Sequence, residues 1–162
     1  MKKLRLYLDT SVISFLYAED SPDFRRVTEE FFARHAAKYE LFTSPVTVLE
    51  ISRDSAPDHR RRLFDALHTY PITMLAGEPA AEIERLAELY LRRGVIPPSK
   101  REDALHVAYA TVYEVDILLS WNFRHLANIR REGLIATVNG EEGYRYPLRL
   151  LSPLGVEDES QS

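Results

Sequence analysis

The sequence predicts an α/β protein, a three-layer α/β/α sandwich around a central, mainly parallel sheet. Short apolar segments alternate along the chain with longer segments whose apolar residues recur at helical spacing. One short segment, 117–119, is apolar at every position, as expected of a strand that is buried on both faces. Because strands and helices alternate in a βαβα-like order, a parallel sheet covered by helices is the expected architecture.

Five strands are predicted. In the first, Leu4, Leu6 and Leu8 alternate with other residues, which is the periodicity of a strand. The remaining strands are short apolar segments, at 41–43, 71–75, 117–119 and 148–151.

The predicted helices are recognised by their start and stop signals. Ser21-Pro22 and Ser44-Pro45 each combine an N-cap residue with proline at the first helical position. Residues 79–93 form a strongly amphipathic segment, which Gly94 ends. Three further helices are predicted to start at Ala56-Pro57, at a capping box formed by Ser99 and Glu102, and at an Asn122 cap.

Length and composition fit one domain, 1–152, followed by an acidic, flexible tail, 153–162. The chain has no cysteine, which excludes disulfides and thiolate metal sites and suits a reducing cytoplasm. No apolar run is long enough for a signal peptide or a membrane span, so we expect a cytoplasmic protein. The net charge of −4 argues against a surface that coats nucleic acid but allows a local basic rim.

Four polar residues are expected to converge at one edge of the sheet. Asp9 follows the first strand, and Glu50 lies in the helix after the second. Asp103 lies near the start of its helix, and Asn122 follows the 117–119 strand. In a parallel sheet, strand ends and the starts of the following helices share an edge, where ligands bind. Three carboxylates and an amide are hard oxygen ligands, which suit Mg²⁺ or Mn²⁺ rather than zinc.

Each of these residues also has a purely structural interpretation. Asp9 and Asn122 could simply be helix N-caps, and Asp103 could complement a helix dipole. Glu50 could lie on the exposed face of its helix. The joint placement at one edge favours a functional site. The helix of Asp103 is also apolar almost all round, so we expect it to be buried. A carboxylate at the N-terminal end of a buried helix requires a partner or a cation.

Three further residues near these four carry side chains of a metal-binding type. His106 lies on the same helical face as Asp103, and we expect a packed, hydrogen-bonded histidine that supports the site. Asp116 precedes the strand that Asn122 follows, roughly 15–20 Å away at the rise of a strand, which excludes it. His125 is left unassigned.

Four sequence segments resemble the motifs of PIN-domain ribonucleases: Tyr7-Leu8-Asp9-Thr10-Ser11-Val12-Ile13, Thr47-Val48-Leu49-Glu50-Ile51, Asp103-Ala104-Leu105-His106-Val107-Ala108-Tyr109-Ala110 and Leu118-Leu119-Ser120-Trp121-Asn122-Phe123. The most similar branch is the virulence-associated protein C toxins of toxin–antitoxin pairs, and the resemblance covers residues 4–151. It implies an endoribonuclease that cleaves RNA with Mg²⁺ or Mn²⁺, forms homodimers and binds a cognate antitoxin.

The resemblance also implies roles for individual residues. Asp9 and Asp103 match the ligands of the principal metal ion, and Glu50 matches a residue that binds a second ion or orients water. Asn122 stands where many members have Asp, which leaves the site one negative charge short. Thr10, Ser11, Ser120 and His106 are expected to support these residues. Candidates for binding RNA phosphates are Arg53, Lys100, Arg101 and Arg124.

Two other classes of protein remain as alternatives. A haloacid-dehalogenase-type phosphatase also starts with Asp after its first strand, but it requires a second Asp where this chain has Ser11. A PIN-like module that acts by binding a partner or RNA, with weakened catalysis, is compatible with Asn122.

Overall fold

Five parallel strands form the central sheet of this computed structural model, which describes residues 2–77 and 79–160 and, within 157–160, the backbone alone. The strands are β1 (Leu4–Leu8), β2 (Tyr39–Thr43), β3 (Ile72–Met74), β4 (Ile117–Leu119) and β5 (Arg149–Leu151), in the spatial order β3-β2-β1-β4-β5. In the register, Leu6 of β1 lies opposite Leu41 of β2 and Ile117 of β4. All five predicted strands are confirmed.

Helices connect the strands. The longer ones are α1 (Thr10–Ser14), α2 (Pro22–Glu30), α3 (Pro45–Ser52), α4 (Pro57–Thr69), α5 (Ala80–Arg92), α6 (Arg101–Val112), α7 (Ile129–Glu141) and α8 (Pro153–Ser160). A π-helical turn, Phe31–His35, extends α2, and short 3₁₀ turns occupy Phe15–Tyr17 and Ala36–Lys38. Gly94, with a φ of 70°, follows the end of α5 in the left-handed conformation that favours glycine.

The helices cover both faces of the sheet, as predicted for a three-layer sandwich. Tyr7 of β1 packs into a core shared with α5, α6 and α7. Its neighbours in the strand, Leu6 and Leu8, pack into a second core with α1, the end of α2, α4 and α8. Successive side chains of a strand point to opposite faces, so β1 contributes to both cores. The 117–119 strand is buried throughout, as its continuous apolar run predicted.

Two predicted helix starts are corrected. Lys100, without a side-chain cap, precedes α6, so Ser99 and Glu102 do not form a capping box. Asn122 starts a turn rather than a helix, and α7 begins only at Ile129, capped by the Asn128 side chain.

The predicted flexible tail is helical in its described part. Residues 153–160 form α8, which packs against α2 and the π-helical turn. Val156 is fully buried in the second core. The last two residues of the predicted tail, 161 and 162, lie outside the described residues. Among the helices that the structure describes, none is long and apolar enough to cross a membrane.

Candidate active site

Asp9 lies directly after β1 and is 3% exposed. Its Oδ1 accepts hydrogen bonds from the Ser11 hydroxyl at 2.5 Å and from the Val12 amide at 3.3 Å. Its Oδ2 accepts a hydrogen bond from the Ser120 hydroxyl at 2.5 Å. Burial raises the pKa of Asp9, although the charge of His106 and these hydrogen bonds oppose the rise. Asp9 therefore caps α1, as one interpretation expected, and it is also a carboxylate held in a fixed orientation.

Glu50 reaches the same region from α3. Its Oε1 accepts hydrogen bonds from the Thr10 hydroxyl at 2.7 Å and from Nε2 of His106 at 2.6 Å. Burial alone would raise the pKa of Glu50, but the hydrogen bond and charge of His106, together with Thr10, outweigh burial and lower it. Glu50 is thus held in its ionised form.

His106 is buried in contact with Glu50 rather than placed as a free ligand. Its Nδ1 lies 2.6 Å from the Tyr7 hydroxyl, which in turn lies 2.6 Å from the Ser44 hydroxyl. Burial would lower the pKa of His106, but the hydrogen bond to Glu50 and the nearby carboxylates, foremost Asp9, raise it. In the charged form both ring nitrogens donate, to Glu50 and to Tyr7.

Asp103 enters from the first turn of α6. Burial and the negative charges of Asp9 and Glu50 raise its pKa to about 6, against the positive charge of His106. Its Oδ2 accepts a hydrogen bond from Nδ2 of Asn122 at 3.1 Å. Glu50 binds Thr10, the neighbour of Asp9, and His106, which follows Asp103 by about one helical turn, so the three predicted carboxylates lie at one edge of the sheet.

Asn122 connects the two sides of this site. Its backbone amide donates to the Ser120 hydroxyl at 3.0 Å, and that hydroxyl donates to Asp9. Its Oδ1 accepts a hydrogen bond from the His125 amide, which shapes the turn after β4. All four predicted residues thus belong to one hydrogen-bonded and electrostatic network. Asp116, in contrast, accepts a hydrogen bond from the Arg5 amide at the opposite edge.

The donor set fits a divalent cation that is held partly by protein. Within the described ranges, no three or more His, Asp or Glu residues form a ready metal cage. Mg²⁺, however, is commonly bound through one or two carboxylates, with waters and substrate phosphates completing its coordination. Burial and the neighbouring carboxylates raise the pKa of Asp103, and a cation bound beside it would stabilise its ionised form against both effects. The oxygen donors and their charge therefore fit Mg²⁺ or Mn²⁺.

The four predicted cations differ in their surroundings. Arg53 forms an ion pair with Glu102, and Arg101 forms ion pairs with Glu84 and Glu88 of α5. Lys100 lies close enough to Asp103 to oppose the rise in its pKa. Neither Lys100 nor Arg124 has an ion-pair partner in the described part of the chain, and both side chains are exposed.

Two residues of the network were not anticipated. Tyr7 is an ordinary strand residue in the sequence, and Ser44 was interpreted only as a cap, which it also is. Both are fully buried, and they hold His106 in place from the side opposite Glu50. The one available signal was that a polar hydroxyl on the buried face of a central strand needs a partner.

The fold and the site define a parallel α/β/α protein with an acidic site at the carboxyl edge of its sheet. A family model, the PIN domain, matches residues 6–130, and the chain belongs to this family. PIN domains are generally nucleases that use divalent metal ions. The resemblance drawn from the four motifs is thus confirmed.

A solved structure is similar in fold to this chain. The crystal structure of VapBC2 from Rickettsia felis, bound to a DNA fragment from the promoter of its genes, has a similar fold. The TM-score is 0.55 at 14% identity, and the alignment covers 92% of this chain and 98% of the other. No curated protein matches the sequence significantly.

Proposed function

We propose that this protein is a divalent-metal-dependent endoribonuclease that hydrolyses RNA phosphodiester bonds, and that it is the toxin of a toxin–antitoxin pair. The observation that carries the proposal is the convergence of Asp9, Glu50 and Asp103 in a PIN-domain chain. Burial, together with the negative charges of Asp9 and Glu50, raises the pKa of Asp103 to about 6. A divalent cation bound at such a site would stabilise the ionised carboxylates.

Asp9 and Asp103 would hold the principal ion, Mg²⁺ or Mn²⁺. The hydroxyls of Ser11 and Ser120 fix both oxygens of Asp9, so little reorganisation is needed when the cation binds. When bound here, a divalent cation would lower the pKa of the water that it coordinates and would stabilise negative charge on the phosphate oxygens.

Glu50 and His106 would position the attacking water. His106 keeps Glu50 ionised and fixes Oε1 through the 2.6 Å hydrogen bond. Thr10 donates to the same oxygen, so the carboxylate is held on two sides. Glu50 would accept a proton from water or align it for attack on phosphorus. Asn122 would hold Asp103 through its amide, without adding charge.

RNA binding would require positive charge around this acidic site. Lys100 and Arg124 are exposed and flank it in sequence, three residues before Asp103 and two after Asn122. Their charges would contact phosphates on either side of the cleaved bond.

The toxin role is supported by the similarity in fold to the VapBC2 complex. We propose a cognate antitoxin as protein partner, a homodimer as the assembly and the cytoplasm as the location. Co-expression with each small open reading frame that borders the gene of this protein would test the role. Growth arrest by the toxin alone and recovery with one of these neighbours support it, and arrest that none of them relieves contradicts it.

A second candidate function is a PIN-like module that binds RNA or a partner with weakened catalysis. Asn122 favours it, because an amide replaces the fourth carboxylate that many family members have. The two candidates differ in whether the bound RNA is cut.

Cleavage of RNA by the purified protein separates these candidates. With Mg²⁺ or Mn²⁺ we expect cleavage by the wild type, none in EDTA, and none by Asp103→Asn. Asp116→Asn is the matched control, since this carboxylate lies at the opposite edge of the sheet. Cleavage in EDTA, or equal loss in both variants, contradicts the metal site.

A further inference from the structure

Four aromatic rings cluster beside the candidate site. The ring centroids of Phe24 and Trp121 lie 4.6 Å apart, and those of Phe15 and Trp121 lie 5.8 Å apart. Phe123 lies 5.8 Å from Trp121 and 6.2 Å from Phe24 by the same measure. We name Phe24, Trp121 and Phe123 the aromatic platform. Such distances are those of packed aromatic pairs.

Trp121 is the buried member of the aromatic platform, and Phe24 and Phe123 are its exposed members. Trp121 is 5% exposed, and its Nε1 donates to the Thr28 hydroxyl at 2.8 Å. Its backbone amide donates to the Ser11 hydroxyl, which itself binds Asp9. In contrast, Phe24 is 39% exposed and Phe123 is 43% exposed. Two large apolar rings are therefore held at the surface on a rigid support.

This platform borders the acidic site directly. Trp121 and Phe123 are the two neighbours of Asn122, which binds Asp103. Consecutive Cα atoms are about 3.8 Å apart, so Phe123 is within reach of a nucleotide next to the cleaved phosphate. Arg124 follows, exposed and with no ion-pair partner among the described residues.

We propose that the aromatic platform binds an unpaired base of RNA, next to the phosphate that is cleaved. This inference rests on the proposed function and deepens it, because it assigns the surface that would hold the base beside the cleaved bond. Proteins bind unpaired bases by stacking them on aromatic side chains, whereas bases inside a duplex are not available for such contacts. Arg124 would bind the adjoining phosphate, which favours RNA over an apolar protein partner as the occupant.

The test compares binding of two RNA probes in EDTA, where cleavage is not measured. One probe is a labelled single-stranded 12-mer of random sequence, and the other is a 12-mer duplex. Phe123→Leu and Phe24→Leu keep an apolar side chain but remove the ring, and Phe123→Tyr keeps the ring. Tyr146→Leu is the matched control, because Tyr146 is 42% exposed and binds Asp116 at the opposite edge.

We expect each Leu variant to bind the single-stranded probe roughly 5- to 150-fold more weakly, the range for loss of one stacked base. Duplex binding is expected to change less than about twofold, since the phosphate contacts remain. Phe123→Tyr should restore the affinity, and Tyr146→Leu should leave it unchanged. Trp121 is the single tryptophan of the chain, so its emission should change when the single strand binds.

Other outcomes separate this inference from the proposed function. Unchanged single-strand affinity in both Leu variants overturns the platform, while metal-dependent cleavage by the same preparations leaves the nuclease intact. Platform-dependent binding without any cleavage supports the platform and contradicts the nuclease. If the Leu variants change only self-association or binding of a protein partner, the surface is a protein interface and the inference is wrong.

Discussion

Nε2 of His106 lies 2.6 Å from Oε1 of Glu50, so a buried imidazole is paired with a carboxylate of the candidate site. The pKa of His106 is raised and that of Glu50 is lowered, which are the directions expected of an ion pair. Because Tyr7 binds the other ring nitrogen, the pair has a single geometry. His106 thus connects Tyr7 of β1 to Glu50 of the candidate site, so its removal should affect both stability and activity.

Removal of His106 is expected to weaken both stability and activity. His106→Ala takes from Glu50 its charged partner and from the buried Tyr7 hydroxyl one of its two hydrogen bonds, which costs about 2–4 kcal/mol of unfolding free energy. RNA cleavage should fall at least about tenfold, because positioning of a catalytic group is worth this much or more. Urea denaturation and cleavage rates measure the two effects.

Tyr7→Phe is the control, because it keeps the contact between His106 and Glu50. It should cost less stability and retain more activity than His106→Ala.

The pairing of His106 with Glu50 also predicts the pH range in which it stabilises the protein. Glu50 has a lowered pKa, so its contribution is present above its ordinary value of 4.5 and is lost as pH falls. His106 has a raised pKa, so its contribution is fully present below its ordinary value of 6.5 and is lost as pH rises through the raised one. The stability difference between the wild type and His106→Ala should be largest between these values. A difference that keeps growing above pH 8 contradicts the pairing.

Asp103→Asn is expected to abolish cleavage and stabilise the metal-free protein. The pKa of Asp103 rises from 3.8 to about 6 on folding, so the folded state loses stability as pH increases between these values. The variant avoids this loss and should be more stable on the order of 2 kcal/mol above pH 7. Thermal unfolding in EDTA should show equal stability near pH 3. A less stable variant at pH 8 would contradict the destabilisation of ionised Asp103 by burial and by the neighbouring carboxylates.

Asn122→Asp tests whether the site is one negative charge short. A carboxylate at this position would face Asp103, because Nδ2 of Asn122 now lies 3.1 Å from its Oδ2. We expect lower stability in EDTA and a larger stabilisation by Mg²⁺ than in the wild type. The control for the Mg²⁺ response is Asn128→Asp, which adds the same charge away from Asp103 and keeps an N-cap acceptor for α7, although it loses the Nδ2 hydrogen bonds to the Phe123 and Arg124 carbonyls. Thermal unfolding over a Mg²⁺ titration measures both, and equal Mg²⁺ responses in all three proteins contradict the expectation.

Lys100 and Arg124 should contribute more to RNA binding than the paired Arg53 and Arg101. For single strands, log affinity falls with log salt by about 0.7 per neutralised phosphate. Lys100→Ala and Arg124→Ala should each reduce this slope by about that amount. In Arg53→Ala and Arg101→Ala the change should be smaller, because glutamates already compensate these charges. Equal slopes in all four variants would contradict the assignment of the main phosphate contacts to Lys100 and Arg124. A role for Arg53 and Arg101 in RNA binding stays a prediction.

Local signals predicted the strands and most helix starts. The apolar run of β4 and the Ser44-Pro45 start of α3 both depend on neighbouring residues alone, and both are confirmed. Asn122 illustrates the limit of such signals. Its side chain accepts a hydrogen bond from the backbone amide of His125, three residues later, as an N-cap side chain would. A turn follows, however, and the next helix begins only after Asn128. Caps and turns of this kind use the same hydrogen bond.

The candidate site was predictable where topology alone brings residues together. Asp9, Glu50 and Asp103 follow from the rule that parallel strands end at one edge. The contacts of His106 with Tyr7 and Glu50 could not be predicted, because they depend on how α6 rotates against the sheet. The packing of Phe24 against Trp121 depends likewise on where α2 lies.

The central claim is that Asp9 helps a divalent cation cleave RNA, and Asp9→Asn tests it most directly. The variant should fold, because the Ser120 hydroxyl can turn to accept a hydrogen bond from the new amide. With Mg²⁺, we expect the wild type to cleave a single-stranded RNA and Asp9→Asn to be slower by at least about 100-fold, a loss typical of removing a charged catalytic group, while RNA binding in EDTA is unchanged. Equal cleavage rates for the two proteins would contradict the account.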